Sequence, residues 1–158
     1  MTGTWPLARA ALKAQLDGTE IQAPAVERLL ALEYAPGGRQ DATTFPYCFP
    51  EPNGHTITRE TGGDRVGVKD IIIRVMLAPR GAPQGVGAVE GLHERYDAWC
   101  VALADALDDA VALDATADIY ALTQEFGPLG QFDDIDAGWW FEMTLGTMQW
   151  SEAKTFSG

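Results

Sequence analysis

The sequence has little of what chemistry usually needs. It holds two cysteines, Cys48 and Cys100, and two histidines, His55 and His93. Two cysteines between apolar neighbours (Tyr47 and Phe49; Trp99 and Val101) read as buried free thiols rather than a disulfide framework. The four residues at 48, 55, 93 and 100 lack the short chelating pairs that zinc sites use, so no metal centre is expected. His93 and Cys100 share a predicted helix but stand two turns apart, about 10 Å of rise, too far for direct proton transfer. No apolar run reaches the length of a membrane span. Residues 1–6, MTGTWP, lack the basic-then-apolar pattern of a secretory signal, so the expected setting is a cytoplasm or something assembled in one.

Basic residues are scarce too, and unevenly so. The 158 residues carry 11 Lys and Arg against 23 Asp and Glu, a net charge of −12. Residues 1–80 hold nine of each sign. Residues 81–158 hold only Arg95 and Lys154 against fourteen acids, so the second half carries the whole excess. Such a balance disfavours capture of phosphates, and equally of anionic lipid. It reads either as a solvated face or as a surface that repels an anion.

Motif imitations fail on inspection. Gly85 and Gly87 open a helix in the manner of a dinucleotide fingerprint. The third glycine's place is taken by Glu90, whose carboxylate would repel a pyrophosphate, and Gly91 comes one position late. Asp133, Asp134 and Asp136 imitate the start of a calcium loop, but the twelfth position is Thr144 rather than an acid. No catalytic residue and no cofactor is expected.

What is present is length for one domain, 1–158, and a clear hydrophobic pattern. Residues 5–16 read as a helix with Pro6 in its first turn and Asp17-Gly18 as its stop. Residues 25–34 fit a short helix or a strand ending at Tyr34. Pro46, Pro50 and Pro52 exclude a central strand over 36–54 and allow a short edge strand at Tyr47–Phe49. Residues 55–60 and 66–77 read as a hairpin joined through TGGD. Ile71, Ile73, Val75 and Leu77 share one face of its second strand, which is apolar enough on both faces to be central. Residues 79–87 read as a loop.

Residues 89–111 carry the strongest signal. Val89, Leu92, Tyr96, Trp99, Cys100, Leu103, Leu107 and Val111 recur at helical spacing. Glu90, Glu94, Asp97, Asp105, Asp108 and Asp109 line the opposite side. Three of these acids fall where the helix dipole prefers cations, so helix stability did not select them. Two further strands are expected at 117–125 and 139–150, with Trp139 and Trp140 on opposite faces. The intervening 126–138 is too long for a tight turn. It holds Phe126, Leu129, Phe132 and Ile135, too apolar for a solvated loop, so it packs on its own body or on a partner. The expected fold is α+β: an antiparallel sheet of about four strands packed against the long amphipathic helix, plus an N-terminal helix.

Three stretches together resemble one family. They are HTITRETGGDRVGVKDIIIRVML (55–77), LHERYDAWCVALADALDDAV (92–111) and ADIYALTQEFGPLGQFDDIDAGWWFEMTLGTMQW (117–150). In element order and texture they look like the tail terminator and tail-completion proteins of long-tailed bacteriophages. The resemblance covers roughly 45–150 and rests on no invariant signature. It implies a structural virion protein in the tail or neck, assembled in the host cytoplasm. Such a protein forms a ring, commonly sixfold, that caps the tail tube, joins it to a head-completion or connector protein, and lets DNA pass unbound. Within that frame Phe126, Leu129, Phe132, Trp139, Trp140 and Trp150 are candidate subunit-interface residues. Asp105, Asp108, Asp109, Asp133, Asp134 and Asp136 are candidates for an acidic bore. The alternatives are another neck, head-completion or tube protein or, in a different class, a small ligand-binding or enzymatic α+β domain.

Overall fold

A computed structural model describes residues 5–35, 44–59, 64–78, 86–108, 120–132 and 138–153. Helix α1 spans Trp5–Leu16. It ends where Asp17-Gly18 was expected to end it. The backbone of Gly18 is left-handed (φ 83°), a conformation only glycine adopts freely, and its N–H donates to Leu29 O at 3.0 Å. Three two-residue strands follow: β1 (Glu20–Ile21), β2 (Glu27–Arg28) and β3 (Leu30–Ala31). The long strands are β4 (Tyr47–Arg59), β5 (Asp64–Ala78) and β8 (Gly138–Ala153), with β6 (Tyr120–Phe126) and β7 (Gly130–Phe132) between. Helix α2 spans Val86–Asp108.

The main sheet has the order β3-β4-β5-β8-β6, and β7 also pairs with β8. The β3–β4 pair is parallel, and β4–β5, β5–β8 and β6–β8 are antiparallel. β1 and β2 form a separate antiparallel ribbon.

This corrects the expected architecture. The molecule is mostly sheet: β4, β5 and β8 have 13, 15 and 16 residues, and the only two helices among the described residues have 12 and 23. The sheet is mixed, not an antiparallel one of about four strands under a long helix. Three misreadings account for this. The ambiguous segment 25–34 forms β2 and the parallel strand β3. The proline-bearing stretch at 46–54 is not a short edge segment but runs unbroken into the strand after it. The supposed connection 126–138 contains β7, which continues the line of β6 along β8 after Gly127 donates to Glu142 O at 2.7 Å.

The prolines are nonetheless where their missing N–H groups do least harm. β3 covers only Tyr47 and Cys48, so Pro50 and Pro52 sit where β4 has β5 on one side and no described strand on the other. The hairpin expected at 55–77 forms, with Arg59 opposite Arg65, and β5 lies between β4 and β8 as its composition implied.

The core lies between one face of the sheet and the two helices. Ile71, Ile73, Val75 and Leu77 from β5 join Phe141, Met143 and Leu145 from β8, all at most 1% exposed. Against them pack Ala8, Leu12 and Leu16 of α1 and Leu92, Trp99, Leu103 and Leu107 of α2. Burial of a side chain of this size contributes about 1.5–3 kcal/mol, so this face dominates stability. Val89 and Val111, expected in the same stripe, lie outside the described side chains. Gln15 Nε2 donates to Ala106 O at 2.7 Å and ties the helices together.

The other face has its own smaller cluster. Tyr47, Phe49 and Met76 are buried, with Leu32, Phe45 and Trp140 packed against them. Beside it Arg74 bonds Glu51 on β4 at 2.8 Å and Glu142 on β8 at 3.0 Å, and its guanidinium lies 4.8 Å from the Trp140 ring centre. Three adjacent strands are thereby laced together.

Candidate functional site

Two features stand out from the body: a long exposed sheet arm and an acidic helix. The arm is the outer half of β4, which pairs with β5 on one side and has no described strand on the other. Residues 52–59 of β4 are all exposed, including Ile57 at 49%. Alternating burial would leave every second residue covered, so this stretch has water on both faces. A shift in register between Pro52 and His55, with Gly54 at φ 143°, separates it from the proline-bearing part. His55 lies opposite Lys69. Burial and the Lys69 charge both hold the His55 imidazole below its usual pKa, and burial lowers that of Lys69.

The acidic helix follows from pattern alone. Leu92, Trp99, Leu103 and Leu107 turn to the sheet, which forces Glu94, Asp97, Asp105 and Asp108 outward, and all four are exposed. Arg95, the single base of α2, is half-buried and committed. It makes a two-pronged ion pair with Glu27 of β2 and donates to Leu77 O at 3.0 Å. Asp108 accepts a hydrogen bond from Gln124 Nε2 at 3.2 Å, which fastens the helix end to β6.

Of the candidate acidic bore, Asp105 and Asp108 stand on this exposed helical face. Asp109, Asp133, Asp134 and Asp136 lie outside the described residues. Of the candidate interface residues, Phe126, Leu129 and Trp139 are partly buried against the subunit's own core. Phe126 stacks at a tilt on Phe141, with ring centres 6.5 Å apart. Trp140 packs on the opposite face, as the alternation implied. Phe132 and Trp150 lie in β7 and β8, with side chains outside those described. The four described side chains lie on two faces of the sheet, Phe126, Leu129 and Trp139 with the core shared by α2 and Trp140 on the other.

The chemistry of the remaining groups is quiet. Cys48 is buried, and burial, aided by the charge of Asp17, pushes its thiol up to about 12. Cys100 is half-buried. Burial raises its pKa, a Tyr96 hydrogen bond lowers it and Asp97 raises it, with a net rise. Both thiols hold their protons at neutral pH and are poor nucleophiles there. Tyr96 is likewise raised by burial, and its hydroxyl donates to Gly127 O at 2.6 Å. Among the described residues no group of three His, Cys, Asp or Glu could hold a metal. An open groove of about 560 Å³ runs between β1 and α2, lined by Ile21, Ala98, Val101, Ala102 and Asp105. Among the described residues no helix is long and apolar enough to cross a membrane.

Sequence reasoning found the acidic helix but missed the sheet arm. The signal was there: His55–Arg59 alternates in period two yet places only one large apolar side chain, Ile57, against four polar ones. No family model and no curated protein matches the chain.

Proposed function

We propose that this protein is a structural subunit of a virion, forming a ring at the head–tail junction that caps the tail tube and joins it to the head while DNA passes through. The single observation that carries the reading is the exposed outer stretch of β4, residues 52–59. A strand that runs for eight exposed residues buries little within its own subunit, and its sequence is worth keeping only if something else covers it. Repeated head-to-tail contacts of identical subunits cover such surface and, where the rotation closes, form a ring.

The charge supports the same role. A conduit works by not holding its cargo, and each phosphate captured by a base would add friction through counterion release. Asp105 and Asp108 offer carboxylates on an exposed helical face whose only base is tied to Glu27. In this reading they belong to a wall that repels the duplex, together with Asp109, Asp133, Asp134 and Asp136. The partners are further copies of the chain, the tail tube protein below and a head-completion or connector protein above.

The test is inactivation of the gene in the virus that carries it. The expected result is tails of uncontrolled length and heads that remain unjoined, both visible by electron microscopy. Virions with normal tails and normal infectivity would overturn the proposal.

A further inference from the structure

The open groove between β1 and α2 has walls that the rest of the chain holds in place. One turn beyond Ala98, Arg95 ties α2 to the ribbon through Glu27, which stands opposite Ile21. At the other end Gln15 Nε2 donates to Ala106 O and ties α1 to the same helix. Thr19, on the ribbon side of that end, is fixed by its hydroxyl bond to Leu16 O at 2.7 Å. From Arg95 to Ala106 the helix rises about 16 Å, three turns. Walls fixed before binding need little further ordering when something enters.

The floor is apolar and low. Ala98, Ala102 and Ala106 recur every fourth residue, so their methyl groups form one line along α2. No larger side chain rises from that line, and a second helix can approach to about 8 Å between axes. Beside the line stands Val101, 57% exposed, the one exposed large apolar side chain among the described residues of α2. It sits on the helical face that otherwise carries Glu94, Asp97, Asp105 and Asp108. On the facing wall Ile21 is buried and Ala23 exposed, and the chain runs on from Ala23 through Pro24, Ala25 and Val26, all exposed. The groove and the ribbon tip thus leave apolar surface in water that the subunit does not use.

The charged lining of the groove is acidic on both walls. Glu20 on the ribbon and Asp105 on α2 are exposed, and among the described residues neither is in an ion pair. The nearest bases are engaged elsewhere. Arg95 holds Glu27. Arg28, opposite Glu20 in the ribbon, lays its guanidinium against Gly18, where an added methyl would lie 3.2 Å from Nη2. Asp97 and Asp108 fall on the flank of α2 away from the alanine line, so Asp105 alone is shared between the groove and the open acidic face.

A low apolar floor between two acidic walls fits a helix with a narrow apolar stripe and cations on both sides of it. The helices of this chain do not supply one. α1 turns its stripe of Ala8, Leu12 and Leu16 into the core, and the exposed face of α2 is acidic. Nucleic acid and anionic lipid are repelled by the same carboxylates.

We propose that the groove between β1 and α2 is the docking site for a basic amphipathic helix of another protein. The occupant spans about 10 residues, three turns. Its apolar residues lie along Ala98, Ala102 and Ala106 beside Val101, and its lysines or arginines reach Glu20 on one wall and Asp105 on the other. The site is independent of the ring and holds for a subunit of any assembly.

The experiment titrates the full chain with a synthetic helical peptide and reads binding by calorimetry. The peptide has about 14 residues of leucine, alanine and lysine, with leucine at every third or fourth position and lysine on both flanks of that stripe. Saturable binding is expected with a Kd of about 10–100 μM, weakening as salt rises from about 50 to about 200 mM. Val101→Lys places a cation in the groove at an exposed position and should weaken binding about tenfold or more. Glu20→Gln and Asp105→Asn should each weaken it about threefold. Glu125→Gln, an exposed acid on β6, should leave it unchanged. The same peptide with glutamate for lysine, or with a central proline, should not bind.

No saturable binding up to about 1 mM peptide would overturn the proposal. So would an affinity that Val101→Lys leaves intact, or an equal loss with Glu125→Gln, which marks diffuse charge attraction. Equal binding of the proline peptide would overturn a helical occupant. A change in the mass of the peptide-free chain on Val101→Lys, read by light scattering, would assign the groove to a second copy and overturn the proposal.

Discussion

Arg95 is the one base between residues 81 and 153, and the structure gives it a specific task. Its guanidinium grips both oxygens of Glu27 and donates a further bond to Leu77 O. It thus clamps α2 to the β2 strand and to the end of β5. The side chains are 24% and 14% exposed, so the pair is neither a surface bridge nor a fully buried one. Breaking a buried pair by removing one partner costs about 3–5 kcal/mol, and a surface pair about 0–1. Arg95→Met strands a mostly buried carboxylate and should cost about 2–3 kcal/mol. Glu27→Met leaves Arg95 its bond to Leu77 O and should cost about 1–2 kcal/mol. Removing both leaves no orphaned charge, so the double variant should cost about 2 kcal/mol and the coupling energy should be about 2 kcal/mol. Urea unfolding followed by tryptophan fluorescence measures all four corners. The m-value should stay constant, and the arginine variant should lose roughly 5–10 °C in Tm. Costs that simply add, to within about 0.5 kcal/mol, would refute the clamp.

Further outcomes follow from the same packing. Phe141→Ala, at a site 1% exposed and in edge contact with the Tyr96 ring, should destabilise by about 3–5 kcal/mol in the same assay. A methyl group on Gly146 would come within 2.1 Å of Thr123 Oγ1, so Gly146→Ala should cost about 1–3 kcal/mol, and Thr123→Ala added to it should recover most of the loss. Cys48 stays protonated in the folded chain up to about 12, while its unfolded thiol ionises near 8.5. Its contribution is fully present below about pH 8.5 and is lost as pH rises toward 12, at about 1.4 kcal/mol per unit. Cys48→Ala should flatten that alkaline decline in urea titrations. Asp105→Lys with Asp108→Lys should slow genome ejection without blocking assembly, and normal ejection kinetics would remove the acidic wall from the account.

The parts legible in the sequence were those set by a single repeat. Helix α1 and its stop, the buried stripe of α2, the central place of β5 and the opposed faces of Trp139 and Trp140 all follow from periodicity and turn chemistry. What was not legible depends on pairing. Leu30 and Ala31 form a strand only because Leu30 N–H reaches Pro46 O and Leu32 N–H reaches Cys48 O, contacts no local pattern announces. Gly130–Phe132 was read as connection because its strand is completed by Gly138–Trp140, further along the chain. Prolines 50 and 52 spoke correctly against a central position but wrongly for a short strand, since an edge tolerates them. The interface residues were chosen as large apolar side chains lacking an evident partner. Phe126, Leu129 and Trp139 found partners within the subunit, whereas the exposed arm is polar and carried no apolar signal.

The central claim is that this chain closes into a ring through a repeated head-to-tail contact. Native mass spectrometry of the full chain, alone and after incubation with purified tail tubes, tests it most directly. A ring that closes gives one oligomer of fixed copy number, about six, with no ladder of open intermediates at saturation. A chain that stays monomeric at high concentration and does not assemble on tubes, or that forms an open-ended series of sizes, would contradict it.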